Sequence, residues 1–143
     1  MLLKLPNPTQ VQPVPLPDCN NRNNRPGVRE AVQIAGYGAD TVGDNNERVR
    51  GRANTLQCAE TTVVDCTRLR ELRPHMQHQH WFCGQRARVD KSNGDTGGGV
   101  VYKGKIYGVI AFTDDGHHAF QVPAAFMDVC AYINWINGVI TRQ

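Results

Sequence analysis

The residues with the most chemistry in this chain lie at Asn93-Gly94-Asp95-Thr96-Gly97-Gly98-Gly99. Glycines flanking a polar pair let the backbone turn so that successive N–H groups point into one concavity. Such a nest stabilises an oxyanion when a nucleophile stands on it, and Thr96 brings a hydroxyl to that place. Taken alone, an ordinary glycine turn explains the segment equally well. Two other clusters carry polar chemistry. His75, His78 and His80 in HMQHQH, together with His117 and His118, offer imidazoles of the kind that bind zinc or copper. No carboxylate is interleaved with them, so an exposed polar loop is expected and no metal or cofactor is assigned. Arg68, Arg70, Arg73, Arg86 and Arg88 could form a basic face toward an anionic partner such as a glycan; solvated arginines are the simpler expectation.

Five cysteines, at 19, 58, 66, 83 and 130, form no CxxC pair, which argues against a zinc knot or a thioredoxin-type motif. In a turn-rich chain of 143 residues they point to an oxidising, extracellular compartment, and the odd count leaves one thiol for a partner outside the chain. A reduced protein with five buried thiols is the alternative. The balance of 16 basic and 13 acidic residues is too mixed to indicate nucleic acid. No apolar stretch approaches the roughly 18 residues of a membrane span. The opening MLLKLP is apolar for too few residues to serve as a signal peptide.

These residues need a scaffold, and the pattern is mostly β. Five of the eight prolines fall at positions 6, 8, 13, 15 and 17, so the chain opens as an extended surface segment, followed by a turn around Asn20–Gly27. In EAVQIAGYG, Val32 and Ile34 alternate with polar residues before glycines end the run, a strand. A polar loop over 38–53 and strand-like pieces at 54–58 and 61–64 follow. Leu69 and Leu72 mark a short helix within 66–74, stopped by Pro74. GGVVYKGKIYGVIAF reads as a hairpin turning at Lys103-Gly104. From Phe126, apolar residues at three- and four-residue spacing (Val129, Ile133, Ile136, Ile140) predict an amphipathic helix docked on the sheet.

Taken in order, these pieces resemble the trypsin/chymotrypsin family, in which the nucleophile sits in a GDSGGP turn. The likeness covers nearly the whole chain but only the C-terminal half of that fold. MLLKLP looks like the strand after the catalytic aspartate; LPDC, Gly36-Tyr37-Gly38, LQC, WFC and the VCAYINWI ending follow in family order. The implied fold is all-β: the second six-stranded antiparallel barrel of the double-barrel fold, with a short inner helix and a C-terminal helix. Residues 1–30 would connect the barrels, and 31–143 would form the C-terminal one, with the N-terminal barrel missing or on another chain.

The resemblance also assigns roles. It pairs Cys19 with Cys130 and Cys66 with Cys83, and it sends Cys58 to the N-terminal half, making that half a disulfide-linked partner chain. Ser92 and Tyr102 stand at family cysteine positions whose partners are lost as well. Thr96 takes the nucleophile position, Gly94 belongs to the oxyanion hole, and Asp95 matches the aspartate that receives the new amino terminus on activation. Asp90 matches the carboxylate that binds Arg or Lys side chains, whereas Thr113 and Ala124 replace glycines of the pocket wall and would obstruct it. Ala111 and Phe112 replace the Ser-Trp of the substrate-binding strand. Threonine's extra methyl restricts the rotamer of the attacking hydroxyl, and none of the five histidines stands where the family base belongs.

The expectation is therefore a secreted, non-catalytic serine protease homologue that binds a protein, glycan or small ligand. The alternatives are an active endopeptidase using Thr96 with histidine and aspartate from a separate N-terminal chain, or a fragment with no independent role.

Overall fold

The computed structural model describes residues 1–76, 80–92, 94–113 and 116–142. Six antiparallel strands close into a barrel: β1 (Ala31–Gly38), β2 (Arg52–Val64), β3 (Trp81–Gln85), β4 (Gly99–Tyr102), β5 (Lys105–Phe112) and β6 (Ala124–Asp128), ordered β1-β2-β3-β6-β5-β4. Closure between β4 and β1 pairs Gln33 with Val101 and Ile34 with Val100. A barrel removes the exposed strand edges of an open sheet.

The two strand-like pieces expected at 54–58 and 61–64 form one strand of 13 residues. Its first part pairs with β1, setting Ala35 opposite Cys58, and its last residues pair with β3. The predicted hairpin turns at Lys103-Gly104 between β4 and β5. Helix α1 covers Thr67–Leu72 and buries Leu69 completely.

The tail departs from the predicted single helix. Phe126 lies in β6, opposite Phe82 of β3 and Ile110 of β5, and is fully buried. Its apolar spacing fits a helix, but barrel closure needs a strand there, and tertiary pairing overrides local periodicity. The chain leaves the strand at Asp128, whose carboxylate accepts from the Cys130 N–H at 2.9 Å. A 3-10 turn over Val129–Tyr132 leads into α2 (Ile133–Ile140). Ile136 is buried, but Ile140 is 54% exposed, so the expected apolar stripe docks only in part.

Two disulfides tie the ends down. Cys19 is bonded to Cys130 and Cys66 to Cys83, with Cα separations of 5.3 and 5.4 Å. The first holds the N-terminal segment to the 3-10 turn that precedes α2, and the second ties the β2 end and α1 to β3. The interior is filled by Val32, Val63, Val100, Tyr102, Tyr107, Ile110 and Phe126. Tyr102 lies in this core beside Val32, and its hydroxyl donates to Glu30. Residues 1–16 are exposed, Met1, Leu3, Leu5 and Val11 among them; the Ile106 N–H donates to Pro15 O at 3.0 Å.

Candidate functional site

The Gly94–Gly98 turn is fixed by the strands on either side of it. Gly97 N–H donates to Ile110 O and Ile110 N–H to Gly98 O, both at 2.8 Å. Gly94 and Gly97 take φ of +112° and +94°, a region that side chains disfavour. Thr96 is exposed on this turn, and its hydroxyl donates to the carbonyl of Ala111 on β5 at 3.2 Å.

Asp95 points the other way, under the end of β1. Its Oδ1 accepts from the Gly38 N–H at 2.8 Å; its Oδ2 accepts from the Ser92 N–H at 2.9 Å and the Ser92 hydroxyl at 3.2 Å. The approach leaves no room for side chains on β1. A Cβ on Gly36 would stand 1.9 Å from Oδ1, and one on Gly38 would stand 2.5 Å from Oδ2. The Gly36-Tyr37-Gly38 sequence is therefore the negative imprint of the Asp95 carboxylate and, at Gly38, of the Ser92 hydroxyl 2.1 Å from such a Cβ.

Asp90 is also occupied. Its Oδ2 accepts from Arg48 Nε at 2.8 Å, and the two side chains are only 11% and 17% exposed. Asp90, Ser92, Asp95 and Cys58 share the wall of one cleft of about 670 Å3, with Arg48, Val49 and Phe120 on its other sides. Between Asp90, Val122, Ala124 and Phe126 a separate cavity of about 10 Å3 remains, room for about one water. Thr113 and Ala124 are both buried, and the Thr113 hydroxyl donates to Pro123 O at 3.3 Å. That bond ties the end of β5 to the start of β6.

The structure thus brings Asp90, Asp95 and Cys58 to one cleft and Asp90 and Ala124 to one small cavity, while Thr96 and Gly94 lie on the exposed turn outside both. Cys58 is an exposed free thiol on β2. Of the arginines, Arg70 stacks 4.2 Å over the Trp81 ring, Arg73 donates to Thr113 O, and Arg86 pairs with Glu60 at 2.6 Å. They serve separate local contacts and do not make one basic face. Among the described residues no three His, Cys, Asp or Glu side chains converge as a metal site; His78 lies outside the described residues.

Two residues of the site were not legible beforehand. Arg48 lies in a polar, glycine-punctuated loop, where nothing in the spacing marks one arginine of Arg48, Arg50 and Arg52 as a buried ion partner. Ser92 shows in the sequence only as a lost cysteine, yet it supplies two of the three donors to Asp95.

The trypsin family profile matches residues 1–136. Rat kallikrein-8 is 28% identical over the whole chain, and kallikrein-15 of Saguinus oedipus is 29% identical over the whole chain; the chain covers 53% and 58% of them. Among solved structures, mouse neuropsin superposes with a TM-score of 0.73 at 25% identity, over 91% of this chain and 54% of that one. A scabies mite inactivated protease paralogue gives 0.70 at 28% identity, over 99% of this chain and 57% of that one. The chain spans about half the length of the relatives it matches. With the barrel, both disulfides and the profile match in agreement, the chain belongs to the trypsin-like serine protease family.

Proposed function

We propose that the chain is the C-terminal half of a secreted, non-catalytic serine protease homologue that acts by binding. The observation that carries this reading is the state of Thr96. Its hydroxyl is committed to Ala111 O, and its Cβ methyl limits the rotamers through which it could turn toward a base. Misplacing an attacking atom by about 1 Å already costs about a hundredfold in rate. The scabies mite relative, described as an inactivated protease paralogue, shows that the same architecture is kept without proteolysis elsewhere. The disulfides and the kallikrein relatives support an extracellular setting.

The partner in this reading is the N-terminal half of the fold, joined through Cys58. An exposed thiol on a barrel strand oxidises readily outside the cell, which favours a retained disulfide. A non-reducing gel of wild type beside Cys58→Ser tests this: wild type runs as a larger species that collapses on reduction, and the variant runs small in both lanes. Equal migration without reductant overturns the interchain bond.

Activity is tested by treating the native protein, partner included, with a fluorophosphonate probe beside active trypsin. No label is expected on Thr96. Stoichiometric labelling there overturns the non-catalytic reading in favour of a threonine endopeptidase.

A further inference from the structure

The loop between β1 and β2 does more than connect them. It lies across residues 116–119 and is stitched there by backbone bonds. The Arg48 N–H donates to His117 O at 2.7 Å and the Ala119 N–H to Asn46 O at 2.9 Å, while Glu47 bridges to His118. Arg48 Nη1 donates to Gly116 O at 2.8 Å, and Nε reaches Asp90 at 2.8 Å. Arg48 is thus held at both its backbone and its guanidinium, with the Asp90 carboxylate almost out of solvent.

We propose that Arg48 is a built-in occupant of the Asp90 site: the chain supplies from its own loop the guanidinium that such a pocket takes from a substrate. This rests on reading Asp90 as the pocket carboxylate. An arriving Arg or Lys side chain would exchange one ion pair for another of the same kind. It would do so against a competitor whose attachment to the same chain gives it a high effective concentration. The carboxylate alone therefore confers no affinity for basic side chains while Arg48 is in place. The loop also explains why an Asp90 without a ligand is tolerated in a nearly buried place, since an unpaired buried carboxylate is strongly unfavourable.

The test is benzamidine binding by calorimetry to the full chain and to four variants, each first checked for native elution and near-UV circular dichroism. These are Arg48→Ala, Thr113→Gly/Ala124→Gly with Arg48 kept, the triple variant, and the triple variant with Asp90→Asn. The triple variant should bind at least about tenfold more tightly than the wall variant that keeps Arg48, and Asp90→Asn should abolish the gain. If the wall variant binds as tightly as the triple, the walls are the block and Arg48 is not the occupant, although the pocket reading stands. If the folded triple variant binds no benzamidine, Asp90 is not a cation site and both readings fall. Should Arg48→Ala refold poorly, ethylguanidine in the refolding buffer should restore its yield and raise its melting temperature, and should do neither for Arg48→Ala/Asp90→Asn. Equal responses of the two variants overturn the proposal.

Discussion

The contact between β1 and Asp95 makes a quantitative prediction about Gly36. A Cβ there would lie 1.9 Å from Asp95 Oδ1, 2.7 Å from Cγ and 3.1 Å from Cβ, its three nearest neighbours. Gly36→Ala must therefore push the carboxylate out of its three hydrogen bonds. Bonds to a charged group are worth about 1.5–3 kcal/mol each, and for a partly exposed side chain whose losses overlap, about 3 kcal/mol in total is reasonable. Strain from the added methyl raises the cost of Gly36→Ala to about 4 kcal/mol. Asp95→Ala alone should cost about 3 kcal/mol, because the same bonds are lost without the clash. In the double variant the clashing Oδ1 and Cγ are gone, and of the three nearest approaches the 3.1 Å one to Cβ remains to relax. Adding Gly36→Ala to Asp95→Ala should then cost no more than about 1 kcal/mol. Urea denaturation of the four proteins measures this cycle, and the expected coupling of about 3 kcal/mol far exceeds the scatter of independent sites. If Gly36→Ala costs the same in both backgrounds, Asp95 does not occupy the place described.

Removing the disulfides should separate by loop length. Replacing Cys66 and Cys83, 17 residues apart, by alanine should cost about 3 kcal/mol, and replacing Cys19 and Cys130, 111 apart, about 5 kcal/mol. The reverse order in denaturation midpoints at equal m-value would refute the chain-entropy account. Leu69→Ala, at a fully buried position against Trp81 and the Cys66–Cys83 bridge, should cost about 3–5 kcal/mol; a loss below about 1 kcal/mol would mean that the α1 site collapses freely. Glu30 is held below the ordinary glutamate pKa of 4.5, first by the Tyr102 hydroxyl and then by the Gly27 N–H. A depressed folded value stabilises above 4.5 and is lost as pH falls through the lowered value. Tyr102→Phe should therefore flatten the acid limb of the melting-temperature profile, and an unchanged limb would rule Glu30 out as a contributor.

The barrel was legible in the sequence because its strands announce themselves one at a time. Val32 and Ile34 alternate, the Lys103-Gly104 turn sits between β-branched runs, and the cysteines stand in a recognisable order. The tail was not legible, because Phe126 satisfies a helical spacing and a strand partnership at once, and only the partner strands β3 and β5 decide between them. The site was legible as positions and not as contacts. Asp90, Asp95 and Thr96 could be placed from neighbouring residues in the chain. Apart from Ser92, three residues from Asp95, their partners come from 42, 57 and 15 residues away, a separation that no local pattern reports. Arg48 is the clearest instance: its role arises because the 39–51 loop folds over residues 116–119.

Two of those partnerships, at Thr96 and at Asp90, bear on one physical requirement. A working site keeps hydrogen-bonding groups unsatisfied until substrate arrives, and the fold must offset what that costs. In this chain the Thr96 hydroxyl is given to Ala111 O, the Asp95 carboxylate to Gly38 and Ser92, and the Asp90 carboxylate to Arg48. One of the donors, the Ser92 hydroxyl, stands at a position where the family pattern has a cysteine. On the proposed non-catalytic reading, a substitution that pairs such a polar group meets no opposing functional cost. The same logic separates the two readings of Asp90. A carboxylate kept for substrate would remain open to the cleft, whereas one kept by inheritance becomes tolerable only when a neighbour neutralises it. Its pairing with Arg48, nearly out of solvent, is what the proposed reading of Asp90 requires.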